Sequence, residues 1–197
     1  MTTVVVPFAG TEGKTRLDTS RSTRRELSLA MLADVLAATA VLGRTLVVTG
    51  DADGATVADE AGADAVADPG GGQGAAVAAA LELAADEQVL VVNADLPCVA
   101  PVDLRALLAA IPAHGLALVE ALDGTTNALG LSGPEVFAPL YGPDSASRFR
   151  ALPVETVAVV VPNLAEDVDT LADLERLELR CGPRTQAALA ALSAGTV

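Results

Sequence analysis

The amino-acid sequence predicts an α/β fold built on a doubly wound, mostly parallel sheet, because two kinds of segment alternate along it. Four short apolar runs, at 3–7, 45–49, 88–92 and 116–119, contain β-branched residues and are too short for helices, as buried parallel strands are. Between them lie amphipathic segments rich in alanine and leucine, at 23–40, 75–84 and 102–111. The chain has 197 residues and no shift in composition divides it, so one domain spanning 1–197 with a sizeable core is expected. In such a sheet, ligands lie in the crevice beyond the carboxyl ends of the strands.

The first strand, Val4-Val5-Val6-Pro7, runs into the loop Phe8-Ala9-Gly10-Thr11-Glu12-Gly13-Lys14-Thr15-Arg16-Leu17. Lys14 is the only lysine of the chain, and every other basic residue is arginine. A compact ammonium among glycines, where a buried strand ends, stands where α/β enzymes hold phosphates. The alternative is a chance survivor of codon bias. Gly13-Lys14-Thr15 has the last three residues of a P-loop, but Gly10 is at the wrong spacing, so a P-loop ATPase is rejected.

Further along, Asp68-Pro69-Gly70-Gly71-Gly72-Gln73-Gly74 runs straight into the helix predicted at 75–84. Glycines ahead of a helix let the backbone approach a ligand, and the helix start supplies N–H donors, so a base or ribose fits here. Asp95 follows the apolar run 88–92 and precedes Leu96-Pro97, where Pro97 stops the strand. A carboxylate in that crevice position suits Mg²⁺ bound to a nucleotide's phosphates; an aspartate that only accepts backbone hydrogen bonds in a turn is the alternative.

After residue 120 the pattern loosens. Segments 129–131 and 154–161 read as further strands, one of them a candidate for antiparallel pairing, around a short helix near 145–150. A last helix follows Asp169, with Leu171, Leu174 and Leu177 on one face as core residues. In Asp167-Val168-Asp169-Thr170, extended backbone sends both aspartates the same way, towards one cation. Asp169 could instead be the N-cap of the last helix, which leaves Asp167 unexplained.

Composition narrows the chemistry. A formal charge of −14 argues against general affinity for nucleic acid or anionic membranes, and the absence of tryptophan argues against an aromatic platform for bases. His114 is the single histidine, in a turn after a helix, which rules out a histidine metal site. Cys98 and Cys181 lack metal-binding spacing and read as unpaired, partly buried thiols in a reducing compartment. No signal peptide is visible, and no apolar run nears the roughly 20 residues of a membrane span, so a cytoplasmic protein is expected. Catalysis would then rest on carboxylates, the lysine, and metals that prefer oxygen.

Taken in order, the pieces resemble a known family. A first strand ending in Val6-Pro7, Gly13-Lys14-Thr15-Arg16-Leu17, Arg24-Arg25 with Ala30-Met31-Leu32-Ala33-Asp34-Val35, and Asp68-Pro69-Gly70-Gly71-Gly72 come first. Then come Ala94-Asp95-Leu96-Pro97, Gly124-Thr125-Thr126-Asn127-Ala128-Leu129, Gly142-Pro143-Asp144-Ser145 and Asp167-Val168-Asp169-Thr170-Leu171-Ala172-Asp173-Leu174. Over residues 4 to 177 the chain is similar to the CofC/FbiD guanylyltransferases.

The resemblance implies a Rossmann-like, GT-A-like nucleotidyltransferase fold: a mixed, mostly parallel sheet flanked by helices. The implied reaction joins GMP from GTP to phosphoenolpyruvate or 2-phospho-L-lactate and releases pyrophosphate, in biosynthesis of coenzyme F-420, with a downstream transferase of the pathway as a partner. It places Asp95, Asp167 and Asp169 on the Mg²⁺ (or Mn²⁺) ligands, and Lys14 and Arg16 on the triphosphate. Gly10 and the loop Gly71, Gly72, Gln73 and Gly74 fall on the nucleotide, with the Gly70 to Gly74 stretch on the guanine side. Thr126, Asn127, Gly142 and Ser145 fall on the small phosphorylated acid. Two positions depart from the pattern: the family commonly has Leu-Asn in place of Gln73-Gly74, and often has a histidine where this chain has Arg148-Phe149.

The chemistry is coherent with this assignment. The acceptor phosphate is already an anion, so attack on the α-phosphorus needs no general base, and the obstacle is repulsion between anions. Metal ions on the three aspartates, with Lys14 and Arg16 on the leaving group, would neutralise that charge. Two alternatives remain: a molybdopterin guanylyltransferase or cytidylyltransferase of the same fold, and a non-catalytic nucleotide-binding partner. Tyr141 and Phe149 are the only rings near the acceptor residues, which is too little aromatic surface for a pterin.

Overall fold

The computed structural model describes residues 2–11, 17–84 and 88–194. The strands are β1 (Thr2–Pro7), β2 (Gly43–Thr49), β3 (Asp64–Ala67), β4 (Val89–Val92), β5 (Gly115–Glu120), β6 (Thr126–Leu131) and β7 (Glu155–Ala158). The helices are α1 (Arg21–Thr39), α2 (Ala52–Glu60), α3 (Gln73–Leu81), α4 (Pro101–Ala109), α5 (Ser145–Arg150), α6 (Pro162–Ala165), α7 (Leu171–Leu177) and α8 (Pro183–Ala194).

The strands form one sheet in the order β3-β2-β1-β4-β6-β5-β7. All neighbours pair in parallel except β6, which runs antiparallel to both β4 and β5. The reversal has a local cause. Only the short loop 121–125 joins β5 to β6, and Asp123 pins it by accepting from the Thr125 N–H at 2.9 Å and its hydroxyl at 2.6 Å. So short a connection permits only antiparallel pairing, whereas parallel neighbours need a crossover.

Alternation along the central strands divides the core between the two faces. Val4, Val6, Leu90, Val92, Ala117 and Val119 pack with α1, α2 and α4, while Val5, Leu46, Val48, Val89, Val91 and Leu118 pack with α3 and α5. A third cluster joins Leu17, Leu27, Met31, Cys98, Val168, Leu174 and Cys181 next to the carboxyl end of β4. The two cysteines, distant in sequence, meet there as free, buried thiols 3.9 Å apart. Hydrogen bonding from Cys181, opposed by burial, lowers the pKa of Cys98; hydrogen bonding to Cys98 and burial raise that of Cys181.

Three elements escape the sequence pattern. Helix α2 and edge strand β3 are largely polar or alanine, with few buried side chains, so they show no apolar periodicity. Helix α8 was hidden for a different reason: its anchor is tertiary. Asp34 of α1 accepts from the N–H groups of Arg184 at 3.0 Å and Thr185 at 2.8 Å, capping α8 from outside its own sequence. The last strand is shorter than its apolar run: of 154–161, only Glu155–Ala158 pairs with β5. Among the described residues, no helix is long and apolar enough to cross a membrane.

Candidate active site

A cleft of about 460 Å³ opens at the carboxyl ends of β1 and β4, and its wall carries Gly10, Asp68, Gly72, Gln73, Asn93, Asp95 and Asp169 among others. One end is a carboxylate cluster. Asp95 leaves the end of β4, and the N–H of Val168 donates to the Asp95 carbonyl at 3.0 Å. Val168 is fully buried in the third core cluster, so its neighbours Asp167 and Asp169 turn the other way. Oxygens of Asp95, Asp167 and Asp169 lie within 4.8 Å of one another.

The cap of α7 is Thr170 and not Asp169. Thr170 accepts from the Asp173 N–H at 3.2 Å, and Asp173 accepts back from the Thr170 N–H at 2.9 Å. Asp169 is thereby left on the cleft wall. Burial, reinforced by the charges of Asp95 and Asp169 and opposed by a hydrogen bond from Asn127, raises the pKa of Asp167. Three hard oxygen donors crowded against their own repulsion are a donor set suited to Mg²⁺ or Mn²⁺. From outside, Glu166 fixes the strap by pairing with Arg176 and Arg180.

The other end is the glycine loop. Gly70, Gly71 and Gly72 all have positive φ, at 76°, 89° and 88°, a run that side chains rarely adopt. The Asp68 carboxylate accepts from the Gly70 N–H at 2.8 Å and closes the turn. Gly74 faces away, against Pro139, where a Cβ would come within 2.8 Å of the proline side chain. Gly10 also has positive φ, at 91°, and its neighbour Thr11 is fixed by Asp51, which accepts from the Thr11 N–H at 2.9 Å and hydroxyl at 3.0 Å. Lys14 and Arg16 lie outside the described residues, but the loop that carries them is anchored on both sides, by Asp51 at Thr11 and by buried Leu17.

The residues expected at the acid lie behind the wall. Thr126, Asn127 and Ser145 are almost fully buried, and the Ser145 hydroxyl donates to that of Thr126 at 3.0 Å. Asn127 Nδ2 donates to Asp167 Oδ1 at 3.2 Å, so this side chain supports the carboxylate cluster. Gly142, with φ of 116°, precedes α5, and Arg148 donates to the carbonyls of Leu140 at 2.9 Å and Tyr141 at 3.2 Å. Among the described residues, the cleft wall carries none of Thr126, Asn127, Gly142 and Ser145.

Sequence reading missed Asn93, Asp51, Asp68 and Ser28. Asn93 sits on the cleft wall two residues before Asp95, and a polar side chain just past an apolar run was the available signal. Ser28, on α1, lines the same cleft with its buried hydroxyl unbonded. Nothing in the helical pattern singles it out.

Residues 2–150 match the family model described as guanylyl transferase CofC like. The chain belongs to this family. Among CofC-like relatives, a phosphoenolpyruvate guanylyltransferase of Streptomyces coelicolor is 39% identical over 204 residues, covering 96% of this chain and 96% of the relative. That of Nocardia farcinica is 38% identical over 180 residues, covering 84% of this chain and 79% of the relative. Among solved structures, a Desulfovibrio desulfuricans protein assigned as a nucleotide-diphospho-sugar transferase superposes with a TM-score of 0.76 at 19% identity, over 98% of this chain and 95% of that one. A nucleotidyl transferase of Methanothermobacter follows with a TM-score of 0.66 at 17% identity, over 90% and 95%. At those identities the structures show the fold, and the fold expected for this CofC-like chain is the one found.

Proposed function

We propose that the protein joins GMP from GTP to phosphoenolpyruvate or 2-phospho-L-lactate and releases pyrophosphate, in coenzyme F-420 biosynthesis. The observation that carries this reading is the meeting of Asp95, Asp167 and Asp169 at one end of a cleft whose other end is the glycine loop, in a chain of the CofC-like family. Relatives named phosphoenolpyruvate guanylyltransferase, matching nearly the whole chain, support the acceptor.

The residues divide the work by charge. Asp95, Asp167 and Asp169 hold Mg²⁺ or Mn²⁺, which when bound supplies positive charge against the approaching anions. Lys14 and Arg16 take the leaving pyrophosphate, and Gly10 with the loop Gly70 to Gly74 takes the nucleoside. Asn127 keeps Asp167 in place through its 3.2 Å hydrogen bond. The acceptor's phosphate oxygen attacks the α-phosphorus directly, so no histidine is required, and His114 stays in its exposed turn after α4. The product, a guanylylated acid, would pass to a transferase of the same pathway in the cytoplasm.

Incubating pure protein with each nucleoside triphosphate and each acid under Mg²⁺, and following pyrophosphate, tests the reading. GTP with phosphoenolpyruvate or phospholactate is expected to give release. Release with molybdopterin and with neither acid would transfer the assignment to a molybdopterin guanylyltransferase, and no release with any acceptor would leave a nucleotide-binding partner.

A further inference from the structure

The carboxamide of Asn93 has only one orientation open to it, and that orientation decides which atom of Gln73 faces the cleft. Asn93 Nδ2 lies 3.3 Å from the backbone carbonyl of Thr126, which can only accept. It also lies 3.4 Å from Asn127 Oδ1, and Asn127 in turn uses its own Nδ2 on the Asp167 carboxylate. Two independent acceptors, a main-chain carbonyl and a carboxylate, therefore set the direction of the whole amide chain. Asn93 Oδ1 is left facing Gln73, and Gln73 Nε2 donates to it at 2.6 Å.

What Gln73 has left is Oε1, an acceptor that makes no hydrogen bond among the described residues. Its side chain lines the cleft at the first position of α3, directly after the positive-φ glycines. Gly72 beside it has open space where a Cβ would stand, leaving room for a flat group.

We propose that Gln73 Oε1 reads the nucleotide base as a hydrogen-bond acceptor, and that Asn93 is the positioning residue that fixes this polarity. The inference rests on the nucleotide occupying this cleft, as in the proposed function. A fixed acceptor favours guanine, whose N1–H and 2-amino group are adjacent donors, and disfavours adenine, whose N1 carries a lone pair. A free glutamine would rotate by half a turn and serve either base. Held by Asn93, it serves one.

The test is equilibrium binding by titration calorimetry, with GTP, ITP and ATP under Mg²⁺ and no acceptor, on the wild type, Gln73→Leu and Asn93→Ala. The wild type should prefer GTP and ITP, both of which carry N1–H, over ATP. Gln73→Leu should weaken GTP about 10-fold, the size of one lost neutral hydrogen bond, and leave ATP nearly unchanged. Asn93→Ala should narrow the GTP to ATP ratio by a similar factor through a gain in ATP affinity. A purely structural role would weaken both nucleotides together.

An unchanged ratio in Gln73→Leu, or equal losses for GTP and ATP, overturns the inference. If Asn93→Ala does not fold, Gln73→Leu decides alone, since it alters only a cleft-lining side chain. The two readings fail separately. A wild type that transfers GMP, with an unchanged ratio in Gln73→Leu, sinks the inference and keeps the function. A wild type that prefers GTP but releases no pyrophosphate, with the ratio shifted in Gln73→Leu, does the reverse.

Discussion

The backbone N–H of Val168 donates to the carbonyl of Asp95 over 3.0 Å, and this one bond brings two distant segments of the chain into register at the site. Val168 buries its side chain, and the aspartates on either side of it are turned out beside Asp95. The cluster thus follows from strand-like alternation at a point where the chain is clamped.

Asp95→Asn should abolish pyrophosphate release while leaving the fold intact, because it removes a charge from a cluster of like charges and not a core contact. Steady-state turnover under Mg²⁺, read beside a thermal melt, checks both halves. Near-normal turnover would remove the metal assignment.

Lys14→Ala should cut the rate by ~10²-fold if the ammonium stabilises charge developing on the leaving pyrophosphate, the usual scale for a lost electrostatic donor. The measurement is kcat with GTP and the acid saturating. An unchanged kcat returns Lys14 to chance composition.

Ser145→Ala and Thr126→Ala should raise KM for the small acid and leave KM for the nucleotide unchanged. Their hydroxyls are joined at 3.0 Å behind the cleft wall, so each substitution loosens the same support between β6 and α5. The two changes are therefore expected to be non-additive, and the double variant should resemble either single one in initial-rate measurements. A matching rise in the nucleotide KM would move these residues out of the acid's side of the site.

Asp51 gives a pH dependence with a definite sign. Burial acts to raise its pKa, but hydrogen bonds from the Thr11 and Gly54 N–H groups, the Thr11 hydroxyl and the Asp53 N–H outweigh it and hold the carboxyl below its usual value. A depressed folded pKa contributes stability that is full above the unfolded aspartate value of about 3.9 and is lost as pH falls through the lower folded value. Asp51→Ala, which removes the cap of α2, should cost about 1–2 kcal/mol at pH 7. Urea melts should show the gap to wild type narrowing below pH ~4. A gap independent of pH would assign the loss to packing alone.

The sequence by itself determined the strands whose side chains are buried on both faces, because such runs cannot be anything but apolar: Val4 to Val6, Leu46 to Val48 and Val89 to Val92 are legible for that reason. It also determined that Asp167 and Asp169 share a direction, since alternation is a property of extended backbone. Helix α8 was decided only in three dimensions, because its cap is Asp34, a side chain from α1. The same holds for the meeting of Cys98 with Cys181 and for the placing of Thr126 and Ser145 behind the wall instead of on it. The orientation of Gln73 was beyond any reading of the chain: it is set by a carbonyl of β6 acting through Asn93, and hydrogen bonds between distant segments leave no periodicity in the sequence.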